Sequence, residues 1–241
     1  SNTASHWSTI STFRTDCGPV TTIPYTMNFD QNNNSSFHNL PSCISYLNEG
    51  TSGTNYPYAN YNYSASHSHY YYVHGNVENQ DGWGDQYLLL PSFDATIQMN
   101  QLQVSFYLAD AFSSPCVAQV EVGVMSSTTD TASFIPVQTV NTTSQSYSQF
   151  TVSLANYTGT GSIIAFRLKK IAVHNAYNLD DIVVDYITCT TPTGLAVSNV
   201  TATGANLSWT AGSQETQWTV AYKTLADANF TETSVYTTPA E

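Results

Sequence analysis

Apolar and polar side chains alternate with a period of two along much of this chain. Leu102-x-Val104-x-Phe106-x-Leu108, Val120-x-Val122-x-Val124 and Phe150-x-Val152-x-Leu154 each gather their apolar members on one face. That is the pattern of a strand with one side in a core. Further strands are expected at Ile23–Asp30, His69–His74, Gln86–Pro91, Ser133–Val140, Gly161–Leu168 and Tyr177–Tyr186. Gly, Asn, Ser and Pro cluster at 31–36, 49–55, 75–84, 111–116, 126–130 and 155–161, and these residues favour turns. No stretch carries a sustained helical period with caps. Around ten strands over residues 17–188 predict an all-β, two-sheet sandwich.

The pattern changes after Tyr186. Cys189-Thr-Thr-Pro-Thr-Gly reads as a linker, followed by strands at Gly194–Val200, Ala205–Thr210 and Gln217–Lys223 and a fourth at Phe230–Tyr236. Trp209 and Tyr222 are expected to point inward. Four strands from so short a piece bury too little apolar area to stand alone.

Composition narrows the function. Only 9% of the 241 residues are charged, and 17 acids against 5 bases give a net charge of −12. That balance opposes any binding that neutralises phosphates, so nucleic acid is not expected as a partner. No apolar run approaches the length of a membrane helix, and no leader-like segment opens the chain. Membrane insertion of this segment is not expected. With 41% hydrophobic and 13% aromatic residues the chain can fill a core, under a surface of hydroxyls and amides. Cys17, Cys43, Cys116 and Cys189 are widely spaced, unlike zinc ligands. Their even number suits two disulfides and an oxidising compartment, four buried thiols being the other reading. Three connectivities remain open.

No enzyme constellation is present: there is no GxSxG, HExxH or phosphate-cradling glycine loop. Asp94, Asp110 and Glu121 are available as paired carboxylates, but nothing in their surroundings singles them out. The least ordinary stretch is Tyr56-Pro-Tyr58-Ala-Asn-Tyr61-Asn-Tyr63 followed by His67-Ser-His69-Tyr70-Tyr71-Tyr72-Val-His74. Rings beside amides suit sugar faces and protein interfaces, while alternate tyrosines packed inward are the plainer account. In a strand His67 and His69 would share a side, at metal-ligand spacing, with no further ligands evident.

Residues 191–241, with Pro192-Thr-Gly-Leu-Ala-Val-Ser-Asn-Val through Leu207-Ser-Trp209 and then Trp218-Thr-Val-Ala-Tyr222-Lys, resemble the first half of a fibronectin type III domain. His6-Trp7 through Phe13-Arg14-Thr15 looks like the last strand of that domain type. The middle is similar to the jelly-roll repeats of Bacteroidetes surface proteins, the MAM-like group with cleaved-adhesin and choice-of-anchor J domains. The similarity rests on Ile23-Pro24-Tyr25 through Phe29-Asp30, Leu40-Pro-Ser-Cys43, Tyr87-Leu-Leu-Leu-Pro91, Val122-Gly-Val-Met125, Asp130 through Val137, Tyr157 through Gly161, Ile164 through Arg167 and Leu179-Asp-Asp-Ile182. Asp30 stands where glutamate is usual, and Ile44 where a tryptophan often follows the cysteine.

The resemblance implies one period of a tandem array. Residues 1–16 would be the last strand of a fibronectin module, 17–188 a jelly roll, and 189–241 the first half of the next module. It implies a structural calcium ion held by Asp30 and Asp180, with Asn32, Asn33 and Asp181 adding oxygens. Because the ends of a jelly roll lie together, pairing of Cys17 with Cys189 and of Cys43 with Cys116 is favoured; Cys17–Cys43, or a partner for Cys17 in the other half of the fibronectin module, are the alternatives. Asp130-Thr131-Ala132 resembles an O-glycan acceptor of the same bacteria, or else a strand-capping turn. The expected role is non-catalytic: an extracellular adhesin, stalk or fibre repeat, at the cell surface or secreted. Its partners would be neighbouring repeats or copies of itself, or glycans or proteins of a host or environment. A carbohydrate-binding module of a larger secreted enzyme is the competing expectation, and an anchoring domain a third.

Overall fold

The alternating runs become strands where β-branched and aromatic residues are densest. In the computed structural model, residues 17–30, 39–51, 56–62, 64–113, 115–187, 192–211 and 217–236 are described. The strands are β1 (Tyr25–Met27), β2 (Ser45–Asn48), β3 (Tyr58–Tyr61), β4 (Tyr71–Val77), β5 (Gln86–Ser92), β6 (Leu102–Asp110), β7 (Cys116–Met125) and β8 (Ile135–Thr142). They continue with β9 (Ser148–Ser153), β10 (Ile163–Leu168), β11 (His174–Tyr186), β12 (Thr193–Ser198), β13 (Asn206–Thr210), β14 (Trp218–Tyr222) and β15 (Thr231–Val235). Two three-residue 3-10 turns are the only helical elements among the described residues. The chain is all-β, as the alternation predicts.

Eleven strands form one sheet curled into a two-layer jelly roll. One layer runs β3-β4-β11-β6-β9, with β1 beside the second half of β11. The other runs β2-β5-β10-β7-β8. The layers join where Cys116 and Val117 of β7 run parallel to His174 and Asn175 of β11. Alternation decides what lies between them. Val104, Phe106 and Leu108 of β6 face Val120, Val122 and Val124 of β7 and Ile164, Phe166 and Leu168 of β10 in one buried cluster. Phe106 meets Phe166 edge to face, ring centres 5.1 Å apart, at the middle of that core. Ile44 fills its position as a buried core residue.

A smaller cluster covers the outer face of the second layer. Phe134 lies over Tyr87 and Met125, and Gly123 leaves room for its ring. Thr131 sits in the 3-10 turn leading to Phe134, half-buried, while the Asp130 carboxylate accepts the Ala132 N–H and caps that turn.

The favoured disulfide scheme is corrected. Cys17 is bonded to Cys43, and Cys116 is a buried free thiol whose pKa burial pushes up to about 12. The reason lies in the neighbours of β5. Val20 bridges Phe93, and β2 pairs along β5, so Cys17 and Cys43 both arrive beside residues 90–92. Cys116 opens β7 beside His174, at the junction of the two layers. Cys189 lies outside the described residues. The bridge closes a loop of 26 residues. Cys43→Ser should therefore lower stability by about 3.5 kcal/mol by the chain-entropy relation, read as a lower urea midpoint that reduction of the wild type reproduces.

β12 pairs with β13, and β14 with β15, as two separate two-stranded sheets. They touch through Trp209 and Trp218, whose ring centres lie 5.6 Å apart. Trp209 is half-buried, but Tyr222 is 55% exposed rather than inward; Trp218 takes the buried place. The pleat explains this in part, since Trp218, Val220 and Tyr222 share one face and the Trp218 ring is the one that meets Trp209.

Candidate functional site

Between β3 and β4 the chain leaves the sheet and crosses the outer face of the first layer. This strap, residues 64–70, adopts turns and bends instead of a strand. Asn62 accepts the backbone N–H groups of Ala65 and Ser66 on its carbonyl, and its own N–H donates to the Tyr70 carbonyl at 3.0 Å. The expectation that His67 and His69 share one strand face is overturned. His69 adopts φ of +50°, and the two rings go to different carboxylates.

Three acids hold the strap. Asp180, fully buried, accepts the N–H groups of His67 at 3.0 Å and Ser68 at 3.1 Å on one oxygen, and that of Asp181 at 2.8 Å on the other. Asp181 takes the His67 Nδ1 at 2.7 Å and the Ser68 hydroxyl at 2.7 Å. Asp30, just after β1, accepts the N–H groups of Tyr70 at 3.2 Å and Tyr71 at 3.3 Å on Oδ1, with His69 Nδ1 3.1 Å from Oδ2. In a regular strand Asp180 and Asp181 would face opposite sides. A register shift in the β6–β11 ladder between Asp180 and Val183, with Asp181 at φ +48°, brings both carboxylates onto the strap. Burial raises the Asp180 pKa to about 7, and the Asp181 charge adds to this, while the N–H groups of Ser68, Asp181 and His67 work the other way.

The calcium candidates are thus placed unevenly. Asp30, Asp180 and Asp181 all contact one strap, whereas Asn32 and Asn33 lie outside the described residues. Among the described residues no three His, Cys, Asp or Glu side chains converge as a metal cage. Asp30 Oδ2 is buried and accepts no aligned hydrogen bond, its polar neighbour being the His69 Nδ1 at 3.1 Å. Asp180 has both oxygens committed to N–H donors.

The tyrosines divide into pairs. Tyr56 stacks on Tyr46 with centres 4.8 Å apart, and Tyr61 stacks on Tyr70 at 5.6 Å and meets Tyr71 edge to face at 5.1 Å. Tyr58 packs against His74, whose pKa burial lowers. Tyr63 lies outside the described residues. Tyr61 and Tyr70 are each nearly half exposed, and partner contact by this segment remains our expectation.

Beside the strap lies an open groove of about 770 Å³, floored by Ser105, Tyr107 and Gln149 and walled by His67, Asp181 and Asn28. The His67 ring stacks on Tyr107 at 3.5 Å, and Tyr147 meets its edge at 5.5 Å. Tyr147 in turn donates its hydroxyl to the Ala65 carbonyl at 2.9 Å. Sequence reasoning missed Ser105, Tyr107, Tyr147 and Gln149. The signal for the first two was present, since residues between the apolar members of Leu102–Leu108 must face outward.

The protein is thus a jelly roll bearing a braced strap beside an open polar groove. Its fold is shared with the K2 cleaved adhesin domain of Lys-gingipain, at TM-score 0.52 and 14% identity, covering 67% of this chain and 98% of that one. The K1 cleaved adhesin domain of Lys-gingipain from Porphyromonas gingivalis W83 matches at TM-score 0.51 and 12% identity, over 69% of this chain and all of that domain. A xylan-binding domain from Paenibacillus barcinonensis is similar at TM-score 0.45 and 14% identity, over 72% of this chain and all of that domain. No protein-family model matches the sequence, and no curated protein does.

Proposed function

We propose that this chain is a non-catalytic extracellular repeat of an adhesin, stalk or fibre, in which a closed jelly roll is joined to C-terminal strands that pair with a neighbouring copy. The observation that carries this reading is the contrast between the two parts. The jelly roll encloses one large buried cluster and exposes no large apolar residue beyond about half among the described residues, while the C-terminal strands and their connections leave Leu195 72%, Val197 58%, Val200 73% and Phe230 61% exposed. Two-stranded pieces with uncovered apolar faces need a partner. The sequence of residues 6–15 resembles the last strand of the same module type, and a neighbouring copy is the occupant we assign to the uncovered strands. Wild type should then form larger species as concentration rises, by light scattering. The double variant Leu195→Asp, Val197→Asp should stay monomeric with the jelly-roll unfolding transition unchanged. A wild-type monomer at every concentration overturns exchange between chains.

We further propose that calcium binds at the Asp30 end of the strap, where the carboxylate oxygen that accepts no N–H lies 3.1 Å from His69 Nδ1, a ring the ion would displace. Such an ion would supply a structural cross-link with no open coordination position. Calcium added to chelator-stripped protein should raise the melting temperature. No shift sinks the site. The second reading, a carbohydrate-binding module of a larger secreted enzyme, draws on the neutral groove beside the strap.

A further inference from the structure

We infer that the groove between the strap and β9 is a binding subsite for a neutral polyhydroxylated ligand, a segment of uncharged glycan. Its floor is built from strand residues, so its geometry is held by the sheet. Ser105, Tyr107 and Gln149 project from neighbouring strands β6 and β9, with Tyr107 opposite Gln149 in register. Its wall is held just as firmly. His67 is clamped by Asp181 and sandwiched against Tyr107, so little order remains to be imposed when a ligand arrives.

The lining decides the ligand class. Among the described residues no lysine or arginine borders the groove. Arg167 is bound to Glu121 on the opposite layer, and Lys170 donates to the Gln80 carbonyl at 2.6 Å. Phosphate, sulfate and uronate ligands therefore find no counter-charge. A cationic ligand fares no better, because Asp181 already serves His67 and the Ser68 hydroxyl. An apolar ligand would strand the amide of Gln149 and the hydroxyl of Tyr107, neither of which has a hydrogen-bond partner among the described residues. Alternating hydroxyl donors and acceptors answer both groups, and a sugar C–H face suits the half-buried Val183 along the same groove. The volume of about 770 Å³ lies within the usual range of small-ligand sites, roughly 300–1,000 Å³.

The test is an array carrying neutral oligosaccharides from xylan, glucan, mannan and galactan beside uronate- and sulfate-bearing ones, probed with the full chain. The best neutral binder is then titrated by calorimetry. Wild type should bind neutral members and ignore the acidic ones. Gln149→Ala should weaken the titrated affinity about tenfold, and Ser105→Trp, which fills the floor, should abolish it. Both variants should keep the wild-type unfolding transition. Three results overturn the inference: no neutral glycan bound, acidic glycans preferred, or neutral binding indifferent to both variants. Self-association through the C-terminal strands is read separately by light scattering, so failure here leaves the repeat reading standing, and the reverse.

Discussion

Asp180→Ala is expected to cost roughly 3 kcal/mol of stability at pH 5 and less at pH 8. The cost arises because the carboxyl group is the acceptor for three backbone N–H groups, those of His67, Ser68 and Asp181. With alanine those donors lose their partner and the strap loses its central anchor. Amide hydrogen exchange at residues 67, 68, 70 and 71 should speed up before the jelly roll itself opens. The pH dependence follows from the direction of the pKa shift. Burial holds Asp180 near 7 in the folded chain, against 3.8 as its ordinary value. Between those values the folded state keeps a proton that the unfolded state releases, so stability is fullest near pH 4 and falls as pH rises towards 7. The integrated effect is at most about 4 kcal/mol. The groups facing the carboxyl are Asp181 and His67, with Tyr147 beneath and Asp30 with His69 further along the strap. Asp85, also raised by burial, adds a slope of the same sign. The difference between wild type and variant isolates the share of Asp180. Urea titrations in a chelator at both pH values provide the check; a variant penalty that grows with pH would mean that the N–H groups outweigh burial.

Phe106→Ala should cost more, about 4 kcal/mol, because it opens a cavity between the layers. Phe106 is fully buried, meets Phe166 of the other layer edge to face and stacks on Phe150 at 6.0 Å. Neighbouring β-strands are hydrogen-bonded on both sides and collapse poorly onto a void. The urea midpoint should drop with the slope unchanged. Phe106→Leu should recover much of the loss. A cost near 1 kcal/mol would mean that the layers close over the gap.

The two effects differ in how far they could be foreseen. Phe106 stands in an alternating run, and its burial was legible from Leu102-x-Val104-x-Phe106-x-Leu108 alone. So were β7 and β9, because a period of two has one physical solution when one face meets a core. β2 and β3 were not legible. Their residues, Ser45–Asn48 and Tyr58–Tyr61, are half exposed and mostly polar, and they are strands only because β5 and β4 offer free edges. The strap reversed expectation for the same reason. Its histidines read as alternate strand positions, yet carboxylates distant in sequence pull the backbone out of the ladder.

The disulfide shows the limit most sharply. Cysteine spacing admits three pairings, and the ends of the domain were the favoured guide. The choice fell instead to the edge of β5, where both the segment before β1 and the segment before β2 come to rest.

What the linear order of residues determined here is the class of architecture, the identity of most core side chains and the near absence of cations for any ligand to meet. These are properties of periodicity and composition, which act locally. Which acids clamp the strap, which cysteines join, and which outward residues of β6 and β9 form one groove were decided only in three dimensions. Each depends on a register shift, a bulge or a shared strand edge between segments far apart in the chain, and no local pattern encodes where those segments will meet.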